Sequence, residues 1–180
     1  MKYLRPLDYS DLEWLMVERN RPRVMQWFRQ SVPLTMEDQR KWFRTLYDKD
    51  RYFMIHKDEI TLGYCALYKV DEYHKNAEFS IFTIGGNAGL FAMKELLSYG
   101  FNEMGLNRIY SDVIKGNRAL EFYSKLGFRY EGTLRRMYFK GGEYKDSVVI
   151  GMTKEDYAGL GGGNGLDRKE TVSNTERVGA

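Results

Sequence analysis

Alternating apolar and polar positions predict a run of strands in the first half of the chain. The segments RYFMIHK, ITLGYCALYKV and AEFSIFTI follow one another with short polar turns between them, which favours an antiparallel meander. A further strand, KYLRPL, lies earlier in the chain. It is separated from the meander by DYSDLEWLMVERN and TMEDQRKWFRTLYDK, whose apolar residues recur at the period of a helix.

Helices and strands alternate in the second half. A helix is predicted over residues 88–104, ended by Gly105, with a buried stripe of Leu90, Met93, Leu97, Phe101 and Met104. The strand NRIYSDVI, the helix RALEFYSKL and a strand pair turning at a Gly-Gly pair follow. Residues 78–84, the helix and residues 108–114 form a strand–helix–strand unit, which makes these two strands parallel. The pattern predicts an α/β (α+β) domain with a mixed, mostly antiparallel sheet.

Five small residues join a strand to a helix in the segment FTIGGNAGLFAMKELL: Gly85, Gly86, Asn87, Ala88 and Gly89. A helix N-terminus exposes unpaired N–H groups, and glycines before it let an anion approach the backbone, so this junction is typical of a phosphate site. It lacks the Gly-Lys-Ser/Thr of a nucleotide P-loop and the spaced glycines of a dinucleotide fold. A tight turn in which Asn87 caps the helix explains the same residues.

A second motif, DVIKGNRALEFYSKLGF, follows the next strand. It is similar to the pattern N-x-x-A-x-x-x-Y-x-K-x-G-F of the GNAT superfamily of acetyl-CoA-dependent N-acetyltransferases. The matching positions are Phe128, Gly127, Lys125, Tyr123 and Ala119. Gly116 stands where the pattern has asparagine, and Asn117 follows one residue later. The resemblance covers roughly residues 3–157, and it implies a GNAT fold with helices on both faces of the sheet.

The glycine junction departs further from the same family. Its usual pattern, Arg/Gln-x-x-Gly-x-Gly/Ala, falls on Ile84, Asn87 and Gly89, and only the last position is kept. Backbone N–H groups do the binding in such a loop, so the phosphate cradle is compatible with these changes. A chain with a degenerate site that only binds acyl-CoA, without catalysis, is the non-enzyme alternative.

The resemblance implies that acetyl-CoA lies between the two parallel strands, which splay apart around it. Its pantetheine arm would pair with the strand edge at Ile81, Phe82 and Thr83, where a backbone N–H would also stabilise the oxyanion. The pyrophosphate would rest on residues 85–89. Asn117 would hydrogen-bond the cofactor, cap the following helix, or do both. The resemblance implies no metal.

Two residues are the candidates for acid–base chemistry. Tyr123 would donate a proton to the leaving thiolate, since a phenol of pKa about 10 and a thiol of about 8.5 are well matched; the alternative is a packed helix tyrosine. Glu78 would accept the proton of the amine, and the alternative is a solvated strand end. His74, in the preceding turn, is a further candidate base and substrate contact, because histidine titrates near neutral pH; a surface-loop histidine is the alternative. We expect His56 and Cys65 to be structural.

The acceptor amine is indicated only by the N-terminal part. Arg19, Asn20, Val24 and Trp27 resemble the R-N-x-x-x-V-x-x-W entry of bacterial enzymes that acetylate amino groups on nucleotide-linked sugars, as in the pseudaminic-acid pathway. This resemblance implies that Arg19 and Asn20 bind substrate. The alternatives are an acetyltransferase for protein N-termini or other small amines, and arginines that merely cap and solvate the first helix.

Composition limits the classes of partner and the cellular location that we expect. A formal charge of +3 with no Lys/Arg block predicts no nucleic-acid partner, and a single cysteine excludes an internal disulfide. No stretch is apolar enough to span a membrane, and the N-terminus lacks a signal-peptide core, so we expect a cytoplasmic protein without a membrane partner. Residues 1–157 form the predicted domain, and residues 158–180 a flexible, glycine-rich polar tail. The sequence leaves a homodimer open.

Overall fold

A computed structural model describes residues 1–85 and 87–161 of the chain. Its strands form one seven-stranded sheet in the order β1-β2-β3-β4-β5-β7-β6. The strands are β1 (Lys2–Pro6), β2 (Arg51–Lys57), β3 (Ile60–Asp71), β4 (Asn76–Thr83), β5 (Arg108–Ile114), β6 (Arg129–Lys140) and β7 (Glu143–Thr153). All seven predicted strands are present, with their ends shifted by one or two residues.

The described helices are α1 (Leu12–Asn20), α2 (Pro22–Met25), α3 (Met36–Arg44), α4 (Ala88–Ser98), α5 (Ala119–Lys125) and α6 (Lys154–Gly159). A 3-10 turn precedes α1, and α4 continues as a π-helical turn to Glu103. A capping box of Thr35 and Asp38 opens α3, with each side chain bonding the other's backbone N–H. The sequence prediction did not include the short helices α2 and α6.

The parallel pair predicted by the strand–helix–strand unit is confirmed. Strands β4 and β5 run parallel, and every other neighbouring pair is antiparallel. The parallel pairing covers only three residue pairs and ends where Glu78 faces Tyr110. Beyond that point β4 stays paired with β3 and β5 with β7, so a gap opens between β4 and β5.

Helices cover both faces of the sheet, as predicted. On one face α4, α5 and α6 bury a large core that includes Phe79 from β4. On the other face α1, α2 and α3 pack over a smaller, aromatic-rich cluster that includes Phe82 from the same strand. Because strand side chains alternate, Glu78 and Ser80 share the second face with Phe82.

The C-terminal end of the described chain is helix α6. Thr153 and Asp156 form its capping box, and Tyr157 is buried against Phe101 in a stacked ring pair. The predicted tail begins inside this helix, at residue 158, and its remainder, residues 162–180, lies outside the described residues. No helix in the described ranges is long and apolar enough to cross a membrane.

Candidate active site

The open edge of β4 forms one wall of the gap. The Ile84 N–H bonds the Leu62 carbonyl of β3 at 2.8 Å. Since backbone groups alternate sides along a strand, the N–H and C=O groups of Ile81 and Thr83 point the other way, into the gap. Those of Phe82 point to β3. Of the three predicted edge residues, two therefore offer backbone hydrogen bonds to an extended ligand.

The glycine junction leads from this edge to the N-terminus of α4. Gly85 is exposed, with no heavy atom within 4 Å of where a Cβ would lie, and Gly86 is outside the described residues. Asn87 is left-handed, with φ of 50°, and its side chain makes no capping hydrogen bond. The alternative in which Asn87 caps the helix is therefore wrong. Ala88 is buried and begins α4, with Gly89 following it.

The junction has a cationic neighbour that sequence reasoning missed. The Lys2 ammonium of β1 donates to the Asn87 carbonyl at 3.2 Å. The bare backbone of the junction, the unpaired N–H groups at the start of α4 and this ammonium together fit a diphosphate. Lys2 lies 85 residues away along the chain, so local sequence gave no signal for it.

Tyr123 reaches the gap from α5. Its ring packs edge-on against Phe79, with centroids 5.1 Å apart, and against Phe128 at 5.8 Å. Burial raises the pKa of Tyr123 well above that of a free phenol, so the hydroxyl keeps its proton. Within the described residues this hydroxyl has no hydrogen-bond partner, which leaves it able to donate to a ligand.

The motif around Tyr123 is explained by local geometry. The Asn117 carboxamide oxygen accepts the Ala119 N–H at 3.0 Å and so caps the start of α5, as one of its two predicted roles requires. Gly127 ends the helix with φ of 97°, in the left-handed region that favours glycine. These two residues fix the short helix that carries Tyr123.

A pocket of about 210 Å³ lies beside the gap, under α1 and α3, and Tyr123 lines it at the gap. Much of its wall is aromatic: Phe28, Trp42, Tyr52, Tyr64 and Tyr68. Rings in these positions offer their faces to a bound cation or apolar chain. The rings come from a loop, a helix and two strands, so only the folded sheet brings them together.

The polar end of this pocket contains Glu78. It is 3% exposed, and it accepts hydrogen bonds from the Tyr68 hydroxyl at 2.5 Å, the Lys69 ammonium at 2.8 Å and the Arg29 guanidinium. Lys69 reaches it because β3 bulges there, with Lys69 at φ of 51°. Burial and the Glu78 charge raise the pKa of Tyr68, so that hydroxyl remains a donor.

A second carboxylate, Asp112 of β5, faces Glu78 across the gap. It accepts from Ser147 at 2.6 Å, from Tyr138 at 2.7 Å and from the same Arg29 guanidinium. Burial opposes its charge, but these three donors outweigh that effect and hold the pKa of Asp112 below its usual value. Burial and the bond to Asp112 raise the pKa of Tyr138 to about 12.

Sequence reasoning missed Asp112 and Arg29. One signal for Asp112 was available. Tyr110 pairs with Glu78 in the parallel ladder, so a residue two positions later lies on the same face, just beyond the last pair. Arg29 comes from the segment between α2 and α3, and nothing in its local sequence indicates that it reaches the sheet.

Arg19 lines the pocket at its aromatic end. Its guanidinium lies over the Phe28 ring, 5.2 Å from the centroid. Desolvation lowers the pKa of Arg19, and its Nε is buried without a hydrogen-bond partner in the described part of the chain. No carboxylate of residues 1–85 or 87–161 forms an ion pair with it. The prediction that Arg19 binds substrate is compatible with this position.

Asn20, the other predicted substrate residue, holds a loop. Its side chain accepts the Leu34 N–H at 2.7 Å and donates to the Leu34 carbonyl at 2.8 Å. It also accepts from Gln30 at 3.3 Å. Asn20 therefore positions the segment that carries Arg29, and it does not line the pocket.

The structure does not bring His74 into the pocket. It lies in the turn between β3 and β4, largely exposed, with its Nδ1 2.8 Å from an Asp71 carboxylate oxygen. His56 and Cys65 are buried in the sheet. Burial raises the pKa of the Cys65 thiol, which disfavours the reactive thiolate.

Together these residues form a site with two parts. A backbone edge and the glycine junction lie along the gap, and a pocket with two carboxylates and several rings lies beside it. Tyr123 is at their meeting point. The described residues contain no group of three or more His, Cys, Asp or Glu that could hold a metal ion, and the expectation of no metal stays a prediction.

The sequence of this chain is similar to those of known proteins. Residues 3–129 match the family described as acetyltransferase (GNAT) domain. The chain is 29% identical over 161 residues to spermidine N(1)-acetyltransferase of Escherichia coli K12, covering 86% of this chain and 87% of the relative. A more distant match, 24% identical over 133 residues, is acetyltransferase PseH of Campylobacter jejuni, covering 71% and 83% of the two chains.

The fold also matches solved structures. A crystal structure of spermidine N-acetyltransferase from Vibrio cholerae in complex with CoA and spermine superposes with a TM-score of 0.81. The identity is 22%, and the match covers 87% of this chain and 98% of that one. The predicted sheet with its parallel strand pair and flanking helices is thus confirmed.

Proposed function

The chain belongs to the GNAT acetyltransferase domain family and is an acetyl-CoA-dependent N-acetyltransferase, and we propose that its acceptor is a polyamine. The family resemblance found in the sequence is confirmed. The finer expectation, an amino group on a nucleotide-linked sugar, is not supported. The relatives of higher identity are named as spermidine acetyltransferases, while the PseH match is weaker. Other small amines remain compatible with the family.

One observation supports a cationic acceptor more than any other. Glu78 and Asp112 both contact a single nitrogen, that of Arg29, at the end of the pocket beside Tyr123. Two carboxylates converging on one point attract a primary ammonium. The aromatic wall then suits the methylene chain and further ammonium groups of a polyamine, through apolar contact and cation–π attraction.

Each of these residues can then be assigned a role in binding or catalysis. Acetyl-CoA supplies the thioester. Ile81 and Thr83 orient its pantetheine arm by strand-like hydrogen bonds, and the junction of residues 85–89 binds its diphosphate. Glu78 accepts the proton that the acceptor ammonium must lose, and Tyr123 donates a proton to the departing sulfur.

Arg19 favours a second candidate acceptor. A half-buried guanidinium whose Nε lacks a partner, and which pairs with no carboxylate of the described residues, attracts an anion. An amine that also carries a carboxylate or phosphate could place that group at Arg19 and its amine between Glu78 and Asp112. The polyamine is preferred because the relatives point to it and because the aromatic wall requires no anion.

Thiol release from acetyl-CoA tests the proposal. The panel contains spermidine, spermine, an amino acid with a side-chain amine, a nucleotide-linked amino sugar and a peptide with a free N-terminus. We expect the highest kcat/KM with the polyamines. If the amino acid or the sugar nucleotide is preferred and Arg19→Gln abolishes that preference, the second candidate replaces the first. If every amine is refused while acetyl-CoA binds, the polyamine proposal fails and the acceptor lies outside these amine classes.

A further inference from the structure

Arg29 enters the acceptor pocket from a loop. It lies between the end of α2 at Met25 and the start of α3 at Met36. One terminal nitrogen, Nη2, contacts both Glu78 and Asp112, and the other, Nη1, is 3.3 Å from the Tyr68 hydroxyl. The side chain is 41% exposed although both carboxylates are largely buried. The cation therefore reaches inward from the solvent side.

We propose that Arg29 Nη2 occupies the position of the acceptor's reacting ammonium, so that the acceptor binds by displacing this guanidinium. The inference rests on the proposed function, since it requires a cationic acceptor. A primary ammonium and a guanidinium NH2 group donate in the same way to carboxylate oxygens. Only one nitrogen can lie between Glu78 and Asp112, and two adjacent cations would repel each other.

The hydrogen bonds of Glu78 lead to the same conclusion. Its two oxygens already accept from Tyr68, Lys69 and Arg29. Oε1 accepts from both Tyr68 and Arg29, which occupies its two lone-pair positions, so Oε1 can take a proton from an amine only if one of these donors leaves. Lys69 bonds the other oxygen, Oε2, so it does not block the position between the carboxylates. Departure of Arg29 vacates the ammonium position and leaves Glu78 Oε1 bonded to the Tyr68 hydroxyl alone among the described residues.

The loop favours movement of the side chain over movement of the backbone. Lys140 of β6 donates to the carbonyls of Met25 and Gln30, on either side of Arg29. Asn20 fixes Leu34 farther along the same segment. With its backbone held at three points, the loop can keep its place while the exposed guanidinium swings into solvent.

Arg29 is thus a residue that sets acceptor affinity by competing for its site. The test compares Arg29→Gln with Arg44→Gln, which removes the same charge from an exposed position at the end of α3. Spermidine binding is measured by calorimetry, and kcat and KM by thiol release. We expect Arg29→Gln to bind spermidine at least about tenfold more tightly than wild type. Its KM for spermidine should fall while its KM for acetyl-CoA stays unchanged.

A merely structural Arg29 predicts a different pattern. Removing it would lower kcat and leave spermidine binding unchanged or weaker, which would overturn the inference. Arg44→Gln should match wild type in every measurement. The side-chain Nε–H signal of Arg29 in NMR spectra of the wild-type protein gives a second reading, independent of whether the variant folds. Saturating spermidine should shift it to the position of a solvated arginine, and an unchanged signal contradicts displacement.

Failure of the proposed function has its own signature. In that case neither wild type nor Arg29→Gln acetylates spermidine, and the same binding and NMR comparison is made with the amine that the panel identifies. If spermidine is acetylated but Arg29 stays in place, the polyamine proposal stands and the displacement is refuted.

Discussion

The two halves of the site present different chemical groups to a ligand. The half proposed to bind the cofactor, along β4 and the start of α4, offers mainly backbone N–H and C=O groups. The half proposed to bind the acceptor offers charged and aromatic side chains from seven segments. Of these side chains, Glu78, Asp112, Lys69 and Arg29 are joined in one network. Backbone hydrogen bonds depend on where a strand lies, whereas an ion network depends on which side chains meet. We therefore expect different substitutions to impair cofactor binding and acceptor binding.

Tyr123 lies where the halves meet, and its removal should have the largest effect. Tyr123→Phe deletes the proposed proton donor but keeps the buried ring against Phe79. We expect kcat to fall by about 10²- to 10⁴-fold, the usual contribution of a general acid, with acetyl-CoA affinity nearly unchanged. Steady-state kinetics and calorimetry measure the two quantities.

The matched control is Tyr157→Phe. Tyr157 is another buried tyrosine whose hydroxyl lacks a partner among the described residues, but it packs on Phe101 away from the pocket. Its loss should leave kcat unchanged. An equal kcat for wild type and Tyr123→Phe would remove Tyr123 from the mechanism.

The acceptor half should be sensitive to charge. Asp112→Asn removes one carboxylate from Arg29 and should raise the KM for the amine without changing the KM for acetyl-CoA. The free energy of unfolding should also fall by about 1–3 kcal/mol, because Arg29 loses a carboxylate partner. Chemical denaturation and kinetics test both effects. A rise confined to the KM for acetyl-CoA would contradict the division between halves.

The cofactor half should be sensitive to backbone displacement. A Cβ added at Gly63 of β3 would lie 2.3 Å from the Phe82 carbonyl oxygen, so β4 must shift. We expect Gly63→Ala to cost about 1–3 kcal/mol of unfolding free energy and to raise the KM for acetyl-CoA. Gly132→Ala in β6, where a Cβ meets nothing within 4 Å, is the matched control. If the two variants behave alike, the strand edge does not set cofactor binding.

The pH dependence should show the smallest effects. Asp112 has a lowered pKa in the folded chain, so its contribution to stability is complete above the unfolded carboxyl pKa of about 3.9 and is lost as pH falls through the folded value. Unfolding free energies measured between about pH 6 and pH 2 should therefore fall less steeply in Asp112→Asn than in wild type. Parallel slopes would contradict the assignment.

On the alkaline side, Tyr123 should impose no limit. Burial raises its pKa, so the hydroxyl remains protonated while the acceptor amine, with a pKa of about 10.4 if it resembles lysine, loses its proton. The rate should rise toward pH 10 and not decline. A fall between about pH 8 and pH 10, the range below a free phenol's pKa, would mean that the acid ionises there, which contradicts a buried Tyr123 with a raised pKa as the proton donor.

The division between halves also explains which features the sequence could predict. The parallel pair, the glycine junction and the helix of Tyr123 follow from local patterns, since each is set by residues close together in the chain. The Arg29–Glu78 pair spans 49 residues and Arg29–Asp112 spans 83. Such contacts depend on the path of the loop after α2 across the sheet. The local periodicity of the sequence does not indicate that path.

The bulge at Lys69 shows the same limit on a smaller scale. Strict alternation along β3 would put Tyr68 and Lys69 on opposite faces. The left-handed Lys69 breaks that alternation, and both side chains reach Glu78. Lysine is not a residue that signals a left-handed position, so this part of the acid network was not predictable from the pattern. Asn87 shows the opposite error. Its residue type suggested a helix cap, but in the structure it adopts a left-handed backbone conformation in the junction and its side chain caps nothing.

We propose that the gap between β4 and β5 presents the thioester to Tyr123, with the acceptor ammonium approaching from Glu78 and Asp112. A crystal structure of the protein with CoA bound is the decisive measurement. We expect the CoA sulfur within about 4 Å of the Tyr123 hydroxyl, the reach of a hydrogen bond to sulfur, with pantetheine bonded to the Ile81 backbone. A sulfur placed away from Tyr123, or CoA bound outside this gap, would contradict it.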